Sequence, residues 1–334
     1  MFHHSKEKYI KEFMSDTNHL LQDLTSDPSY QTVPCALCGP EAPYDVLYPS
    51  RFNYTGIEPK QLFSARRIPA RLHFRIVRCQ QCGLIYSNPI YNTSKIKKLY
   101  EESEFIDDPF LQKQYENIIH YYELQLKKAS SYLKCKDNLL DIGCGNGFFL
   151  KAAKKLGFKN VCGVEPGKDA VQKADPDIRP CIINETFHKG LFEKESFDIV
   201  CFFHVLDHII DPGDFLKNIY EILKPGGIVL LMTHNVKFLP AKLLGERNPM
   251  FHIEHLYLFD MSTIRKILSK NGFEALYNKD LLGSYTLAHA IKMLPMSGAF
   301  KKILLNGLRG KSIADLNIKL MAGDMVTIGK KVRK

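Results

Sequence analysis

The sequence lacks long hydrophobic runs, internal repeats and low-complexity segments. No stretch approaches the roughly 18 uninterrupted apolar residues that a membrane-spanning helix needs, so no such helix is predicted. The opening residues, MFHHSKEKYIKEF, are charged where a secretory signal peptide would be apolar. From these two absences we expect a cytoplasmic protein.

The nine cysteines lack the regular spacing of a disulfide framework. In a chain with no secretory signal, cysteines more often serve as free thiols or metal ligands. Two pairs have the spacing of metal ligands and are considered below. The other five are interpreted as core or loop residues: Cys135, Cys144, Cys162, Cys181 and Cys201.

Acidic residues are outnumbered, because 46 Lys and Arg face 36 Asp and Glu, which gives a net charge of +10. This surplus permits an anionic partner, such as nucleic acid, a nucleotide-linked substrate or a membrane surface, and does not choose among them. Part of the surplus lies after residue 300, where we interpret it as a solvated face.

The 334 residues exceed one average domain, and the composition changes along the chain. Residues 1–29 are predicted as an N-terminal helical segment. Residues 30–91 combine Pro, Gly, Cys and basic residues with short alternating runs, which predicts a small β-rich module. Residues 92–136 have the apolar spacing of linking helices. Residues 137–334 form the last unit, with a helical insertion near 286–318.

From residue 138 onward, short apolar runs alternate with segments of helical spacing. Repeated β-α units predict an α/β fold with a mostly parallel sheet that is covered by helices on both faces. In such a sheet, ligands bind beyond the carboxyl ends of the strands.

A glycine-rich loop follows the first of these strands, with Gly143, Gly145 and Gly147 before a helix. Glycines there allow a tight turn and the close approach of a ligand. In a dinucleotide-binding loop the third glycine would fall at position 148, which is Phe148, so the spacing does not predict NAD binding. Two carboxylates accompany the loop: Asp141 precedes it and Glu165 ends the next strand.

This arrangement resembles motif I and the acidic ribose-binding position of class I S-adenosylmethionine-dependent methyltransferases. The resemblance continues through FDIV at 197–200, FHVLDHIIDP at 203–212 and LKPGG at 223–227, and covers about residues 137–280. Asp207 stands where the family more often has Glu. The resemblance implies a Rossmann-like sheet with an antiparallel last strand, in which Glu165 accepts the ribose hydroxyls and Asp141 orients the ammonium group. It assigns the cofactor to Asp141, Gly143, Gly145, Gly147, Glu165, Pro166 and Phe203.

Two Cys-x-x-Cys knuckles, Cys35 with Cys38 and Cys79 with Cys82, can present four thiolates to one tetrahedral ion. Four sulfur ligands favour zinc in a closed structural site, with a redox pair or unligated thiols as the alternatives. The second knuckle resembles the zinc ribbon that precedes many bacterial methyltransferase domains, several of them encoded with sugar or surface-glycan pathways. We expect the ribbon to unfold without its zinc while the methyltransferase unit stays foldable.

Histidines near the predicted strand ends are the candidate general bases. His204 and His255 are the first choices, because a strand end and a loop converge there over the donor. The alternatives are His208, His234 and His252. The spacing of His252, Glu254 and His255 would also permit a second metal site.

The predicted function is therefore methyl transfer from S-adenosylmethionine to a small molecule, with a sugar, nucleotide-sugar or glycan intermediate as the expected acceptor. An RNA methyltransferase, suggested by the zinc module and the basic charge, is the alternative. A cofactor-binding scaffold without catalysis is a third.

Overall fold

The computed structural model describes residues 27–51, 63, 72–105, 112–294, 296 and 298–332. Most of the predicted N-terminal segment, residues 1–26, lies outside them. In chain order the strands are β1 (Tyr30–Gln31), β2 (Tyr44–Tyr48), β3 (Ile76–Cys79), β4 (Ile85–Ser87), β5 (Ile90–Tyr91), β6 (Asn138–Ile142), β7 (Asn160–Val164), β8 (Ile182–Ile183), β9 (Phe197–Phe203), β10 (Leu223–His234), β11 (Tyr257–Leu258), β12 (Phe273–Thr286) and β13 (Asn317–Lys331). The helices are α1 (Thr93–Glu101), α2 (Gln112–Ser130), α3 (Phe148–Lys155), α4 (Lys168–Gln172), α5 (Pro212–Ile222), α6 (Leu239–Leu244), α7 (Met261–Lys270), α8 (Leu287–Met293) and α9 (Gly298–Leu308).

A seven-stranded sheet in the order β12-β13-β10-β9-β6-β7-β8 forms the centre of the molecule. The strands from β10 to β8 are mutually parallel, whereas β13 runs antiparallel to both β10 and β12. The fold is thus α/β with a mostly parallel sheet and an antiparallel edge, which confirms the predicted class. The predicted closing strand, 324–330, is the second half of the longer β13.

Local sequence signals fix where the helices next to the strand ends begin. The side chain of Asp211 accepts a hydrogen bond from the N–H of Asp214, and Pro212 occupies the first turn of α5. A capping box between Asp260 and Thr263 begins α7. These caps hold both helices at fixed positions behind the ends of the strands.

A smaller four-stranded sheet, β11-β4-β3-β2, carries the two Cys-x-x-Cys knuckles. Its strand β11 lies between β10 and β12 of the main sheet in chain order, and pairs with β4 through Tyr257 opposite Tyr86. The hydroxyl of Tyr257 also donates to the carbonyls of Pro34 and Ile210, both at 3.2 Å. One continuous hydrophobic core contains buried residues of both units. This shared core argues against a ribbon that unfolds by itself, because its loss would expose apolar surface of the larger unit.

None of the helices among the described residues has the length and apolar character needed to cross a membrane.

An ion pair between buried Asp198, at the amino end of β9, and partly exposed Lys224 offers a test of this packing. The carboxylate of Asp198 accepts from the N–H of Asn138 and from the ammonium of Lys224, both at 2.8 Å. Burial alone would raise the pKa of Asp198, but these two donors hold that pKa below its ordinary value. We expect Asp198→Asn to lower the free energy of unfolding by about 1–3 kcal/mol at neutral pH.

The difference in the free energy of unfolding between wild type and Asp198→Asn should reach its full size above the ordinary aspartate pKa of about 3.9. It should shrink as the pH falls through the lower pKa that Asp198 has in the folded state. Urea unfolding at several pH values measures it, with the exposed Asp177→Asn as control. A difference that is constant down to the lowest pH would contradict this account.

Candidate active site

A cavity of about 1350 Å³ lies at the carboxyl ends of the parallel strands. Its walls come from the loop after β6, the ends of β9 and β10, helix α2, and the segment 248–255. The volume exceeds the usual range of about 300–1000 Å³ for single small-molecule sites. It can therefore accommodate two ligands side by side.

The glycine-rich loop forms one end of this cavity. Gly143 has φ +73°, and a Cβ on it would lie 2.5 Å from Cγ2 of Val205, so only glycine fits there. The N–H of Gly145 donates to Oε2 of Glu165, and the N–H of Gly167 donates to Oε1, both at 2.8 Å. Glu165 therefore braces the loop while each of its oxygens keeps a second acceptor position.

Five of the seven predicted cofactor residues line the cavity: Gly143, Gly145, Glu165, Pro166 and Phe203. Gly147, with φ +73°, instead begins α3 beneath the loop. Asp141 is only 2% exposed and does not line the cavity, and its Oδ1 has no hydrogen-bond partner among the described residues. Burial and the neighbouring Glu165 raise the pKa of Asp141 well above its usual value.

Five histidines gather at the other end of the cavity: His204, His208, His234, His252 and His255. Their rings form a connected cluster, because the ring centroids of His204 and His234 are 4.8 Å apart, those of His234 and His255 5.0 Å, and those of His208 and His255 5.1 Å. The two predicted bases, His204 and His255, each lie beside His234. The structure thus brings together all the histidines that the sequence offered as candidates.

His234 is held by a carboxylate that the sequence analysis did not single out. Its Nδ1 lies 2.8 Å from Oδ1 of Asp324, and the hydroxyl of Tyr285 donates to Oδ2 of Asp324 at 3.3 Å. Burial alone would lower the pKa of His234, but the hydrogen bond to Asp324 raises it. Burial alone would raise the pKa of Asp324, but the hydrogen bond to His234 lowers it. The bond leaves Nε2 of His234 as the nitrogen available to other groups.

His204 has an unusual backbone. Its φ is +54°, in the left-handed region that non-glycine residues rarely adopt. Its N–H donates to the carbonyl of Met232 at 2.9 Å, which ties this turn to β10. Burial lowers the pKa of His204, and its Nδ1 has no hydrogen-bond partner among the described residues.

Asp207 is the carboxylate at the centre of the cluster. It is 2% exposed, and neither of its oxygens has a hydrogen-bond partner among the described residues. Its Oδ2 lies 4.0 Å from Nε2 of His208 and 3.9 Å from Nε2 of His255. Burial lowers the pKa of His208 to about 3, so this imidazole is neutral at physiological pH.

The four knuckle cysteines lie outside this cavity. The sulfur atoms of Cys35, Cys38, Cys79 and Cys82 all lie within 4.8 Å of one another, as ligands of one tetrahedral ion would. Each knuckle closes through a glycine N–H that donates to the first cysteine's carbonyl, at 2.8 Å for Gly39 and 3.0 Å for Gly83. The donor set and its spacing fit zinc.

The smaller sheet also supports the histidine cluster. The hydroxyl of Ser87 donates to the carbonyl of His255 at 3.1 Å, and its N–H donates to the carbonyl of Leu256 at 2.8 Å. The cysteine module therefore holds the segment that carries His255.

The chain is similar to known methyltransferases in sequence and in structure. The model of a methyltransferase domain matches residues 111–278, about half of the chain. The ubiquinone biosynthesis O-methyltransferase of Caulobacter vibrioides is 33% identical over 29% of this chain and 40% of its own length. The mitochondrial enzyme of that name from Dictyostelium discoideum is 27% identical over 40% of this chain and 46% of its own length. The chain spans less than half the length of these curated relatives.

A solved SAM-dependent methyltransferase from Archaeoglobus fulgidus is 17% identical, covers 67% of this chain and 100% of its own, and superposes with a TM-score of 0.44. With half of its length matched by the family model, this chain belongs to the methyltransferase-domain family, and its sheet has the strand order of the class I S-adenosylmethionine-dependent members.

Proposed function

We propose that this protein transfers a methyl group from S-adenosylmethionine to a small molecule bound in the same cavity. The observation that carries the proposal is that one cavity has the glycine loop with Glu165 at one end and the histidine cluster at the other. Methyl transfer from a sulfonium is an in-line displacement, so it needs a donor and an acceptor held on opposite sides of the methyl group.

Glu165 is suited to hold the donor. Its two oxygens each have one acceptor position left after the bonds to Gly145 and Gly167, which matches the two hydroxyls of a ribose. A carboxylate here would repel a phosphate, and S-adenosylmethionine has none. We propose that Asp141 acts indirectly, by fixing the loop from below, because the cavity does not reach it.

The acceptor end favours a molecule with a hydroxyl and an apolar body. Besides the histidines, its walls include mostly aliphatic side chains from the last third of the chain: Leu281, Leu287, Ile291, Met293, Leu294, Ile318, Leu320 and Met321. The relatives named above are O-methyltransferases of ubiquinone biosynthesis, which supports oxygen as the acceptor atom. A lipid-linked sugar or glycan intermediate would combine the predicted acceptor with this lining.

RNA methylation is less well supported. Among the described residues, two lysines, Lys97 and Lys189, and no arginine line the cavity. Binding to a phosphodiester backbone depends on many such groups.

We propose that His234 takes the proton from the acceptor hydroxyl. Asp324 binds Nδ1 and so fixes the tautomer that leaves Nε2 as the proton acceptor, as a carboxylate does for the histidine of a catalytic triad. His204 and His255 stay predictions for this role; their rings flank His234 and would position it.

We propose that zinc occupies the four-cysteine cluster and stabilises the ribbon, which in turn holds the His255 segment through Ser87. Its role is structural, since four protein ligands leave no open coordination position.

The donor assignment predicts that S-adenosylmethionine binds and NAD does not. Calorimetry with each ligand measures this, and donor at about 100 times its Kd should raise the free energy of unfolding by about 2.7 kcal/mol. Glu165→Gln should weaken donor binding about 10- to 100-fold, because it removes charge-assisted bonds to ribose. The exposed Glu193→Ala serves as control. Tight binding of NAD together with no binding of S-adenosylmethionine would contradict the assignment of the donor.

The acceptor is sought by incubating the protein with labelled S-adenosylmethionine and, separately, polar metabolites, a lipid extract or total RNA. We expect label in the lipid or metabolite fraction. Label in RNA alone would replace the proposal with the RNA alternative.

On the labelled fraction, His234→Gln should lower turnover about 10²- to 10⁴-fold while the donor Kd stays unchanged, because a general base acts only on the acceptor. Asp324→Asn should lower turnover as well, since the tautomer is then no longer fixed. The exposed His120→Gln, outside the cavity lining, is the matched control. Full activity of His234→Gln would show that another residue takes the proton or that positioning alone suffices.

For the zinc site, elemental analysis of freshly purified, reduced protein should find zinc in the cysteine cluster. Cys79→Ser should lose that ion and destabilise the whole chain, because the two units share a core. Cys181→Ser, a cysteine outside the cluster, should change neither property. A metal-free wild type, or unchanged stability of Cys79→Ser, would count against the assignment.

A further inference from the structure

The histidine cluster contains a buried carboxylate, Asp207, that has no hydrogen-bond partner among the described residues. Neither the proposed general base nor the proposed binding of S-adenosylmethionine gives this carboxylate a role. Asp207 has 2% of its surface exposed and accepts no hydrogen bond from the described residues. Leaving an ionised carboxylate in such a place costs several kcal/mol unless a cation or several donors compensate it. Among the described residues, Asp207 forms no ion pair with a lysine or arginine, and its charged contacts are with the imidazoles of His208 and His255.

The distances around Asp207 suit coordination better than hydrogen bonding. Its Oδ2 is 4.0 Å from Nε2 of His208 and 3.9 Å from Nε2 of His255, too long for a hydrogen bond. Two ligand atoms about 2.0–2.2 Å from one ion can be up to about 4.3 Å apart. One ligand atom from each of the three residues lies within 4.8 Å of the others. Small side-chain rotations would therefore bring all three into contact with an ion at their centre.

The outer nitrogens of the two imidazoles are already held. Nδ1 of His255 lies 2.7 Å from the carbonyl of Met250, which can only accept, so this nitrogen carries the proton and Nε2 carries the lone pair. Nδ1 of His208 lies 2.9 Å from the hydroxyl of Tyr100, and its Nε2 has no hydrogen-bond partner among the described residues. Metal-binding histidines typically have their second nitrogen bound in this way.

From these contacts we propose that Asp207, His208 and His255 bind one divalent transition-metal ion at the acceptor end of the cavity. Two imidazoles and a carboxylate favour ions such as zinc, cobalt, iron or manganese, and leave coordination positions open. This site is separate from the cysteine cluster and differs from the His252, Glu254 and His255 set that the sequence suggested. His204 and His234 form a second triad with the same Asp207, so they border the ion.

The ion would supply a Lewis acid that binds the acceptor oxygen and favours its deprotonated form, a role that rests on the proposed function. His255 then acts as a ligand, and His234 stays available for the proton. Metal binding itself can be measured without donor or acceptor.

The test uses the full-length, zinc-loaded chain dialysed against Co²⁺, with bound cobalt counted by elemental analysis and examined by visible absorption. We expect one Co²⁺ per chain in addition to the zinc, without the intense thiolate-to-cobalt charge-transfer bands that binding to the cysteine cluster would give. Asp207→Asn and His208→Gln should each raise the Kd for Co²⁺ by about 100-fold or more, since each removes a ligand.

The variant Tyr100→Phe distinguishes a loss of metal binding from a loss of folding. It removes only the hydroxyl that holds His208, so the Kd for Co²⁺ should rise about 10-fold while donor binding and unfolding are unchanged. His120→Gln, on the surface and outside the cavity lining, should leave the Kd as in wild type.

Three results would overturn the proposal: no cobalt beyond the zinc in wild type, cobalt with thiolate bands only, or an unchanged Kd in the ligand variants. If a ligand variant does not fold, Tyr100→Phe decides. Donor binding distinguishes the two proposals: a chain that binds S-adenosylmethionine and no cobalt contradicts only the metal site, and one that binds cobalt but not the donor contradicts the proposed function.

Discussion

The antiparallel pairing of β13 with β10 is the interaction on which the acceptor end of the cavity depends. Seven residue pairs join the two strands, from Ile228 opposite Lys330 to His234 opposite Asp324. The last of these pairs is the His–Asp contact of the site. Because side chains alternate between the two faces of a strand, a slip of one residue would turn Asp324 away from His234 and move buried residues such as Val326 and Ile328 to the opposite face of the sheet, where they would not fit the packing. The hydrophobic core and the site therefore depend on the same register.

A second consequence of the packing is that the cysteine module is part of the active site's support. Strand β11 comes from the chain after β10, yet it pairs with β4 of the module. The module's Ser87 binds the carbonyl of His255, two residues before β11. A zinc ion bound by the knuckles, as proposed, would stabilise the module that holds one wall of the cavity. This explains why a methyltransferase domain would keep such a module attached to it.

The buried carboxylates of the site differ in their partners. Glu165 accepts two backbone N–H bonds, and Asp324 is bonded to the imidazole of His234. Asp207 has no such partner among the described residues, although it is as buried as the core around it. Oδ1 of Asp141, beneath the loop, also lacks a hydrogen-bond partner among the described residues, but Asp207 lacks one at both oxygens and lies near two imidazole nitrogens. This supports the proposal that the partner of Asp207 comes from outside the chain. The proposed metal ion and the acceptor are the two groups that can fill this position.

The sequence by itself determined the fold class, the glycine loop and the pairing of cysteines, because each depends on local chemistry. Alternating apolar periods predict β-α units, φ above zero at Gly143 requires glycine, and two Cys-x-x-Cys knuckles present thiolates whatever lies between them. It also offered every histidine of the cluster, since these follow strands whose ends meet.

Only the tertiary structure decided which groups pair within the cluster. Asp324 lies 90 residues from His234, Tyr100 lies 108 residues from His208, and both contacts depend on sheet register and helix placement. Spacing along the chain contains no signal for either contact. The sequence predicts that Asp141 faces a ligand, whereas the side chain lies buried beneath the loop. No local pattern reveals that the ribbon shares a core with the larger unit. Local residue types fixed the candidates, and long-range packing decided their partners.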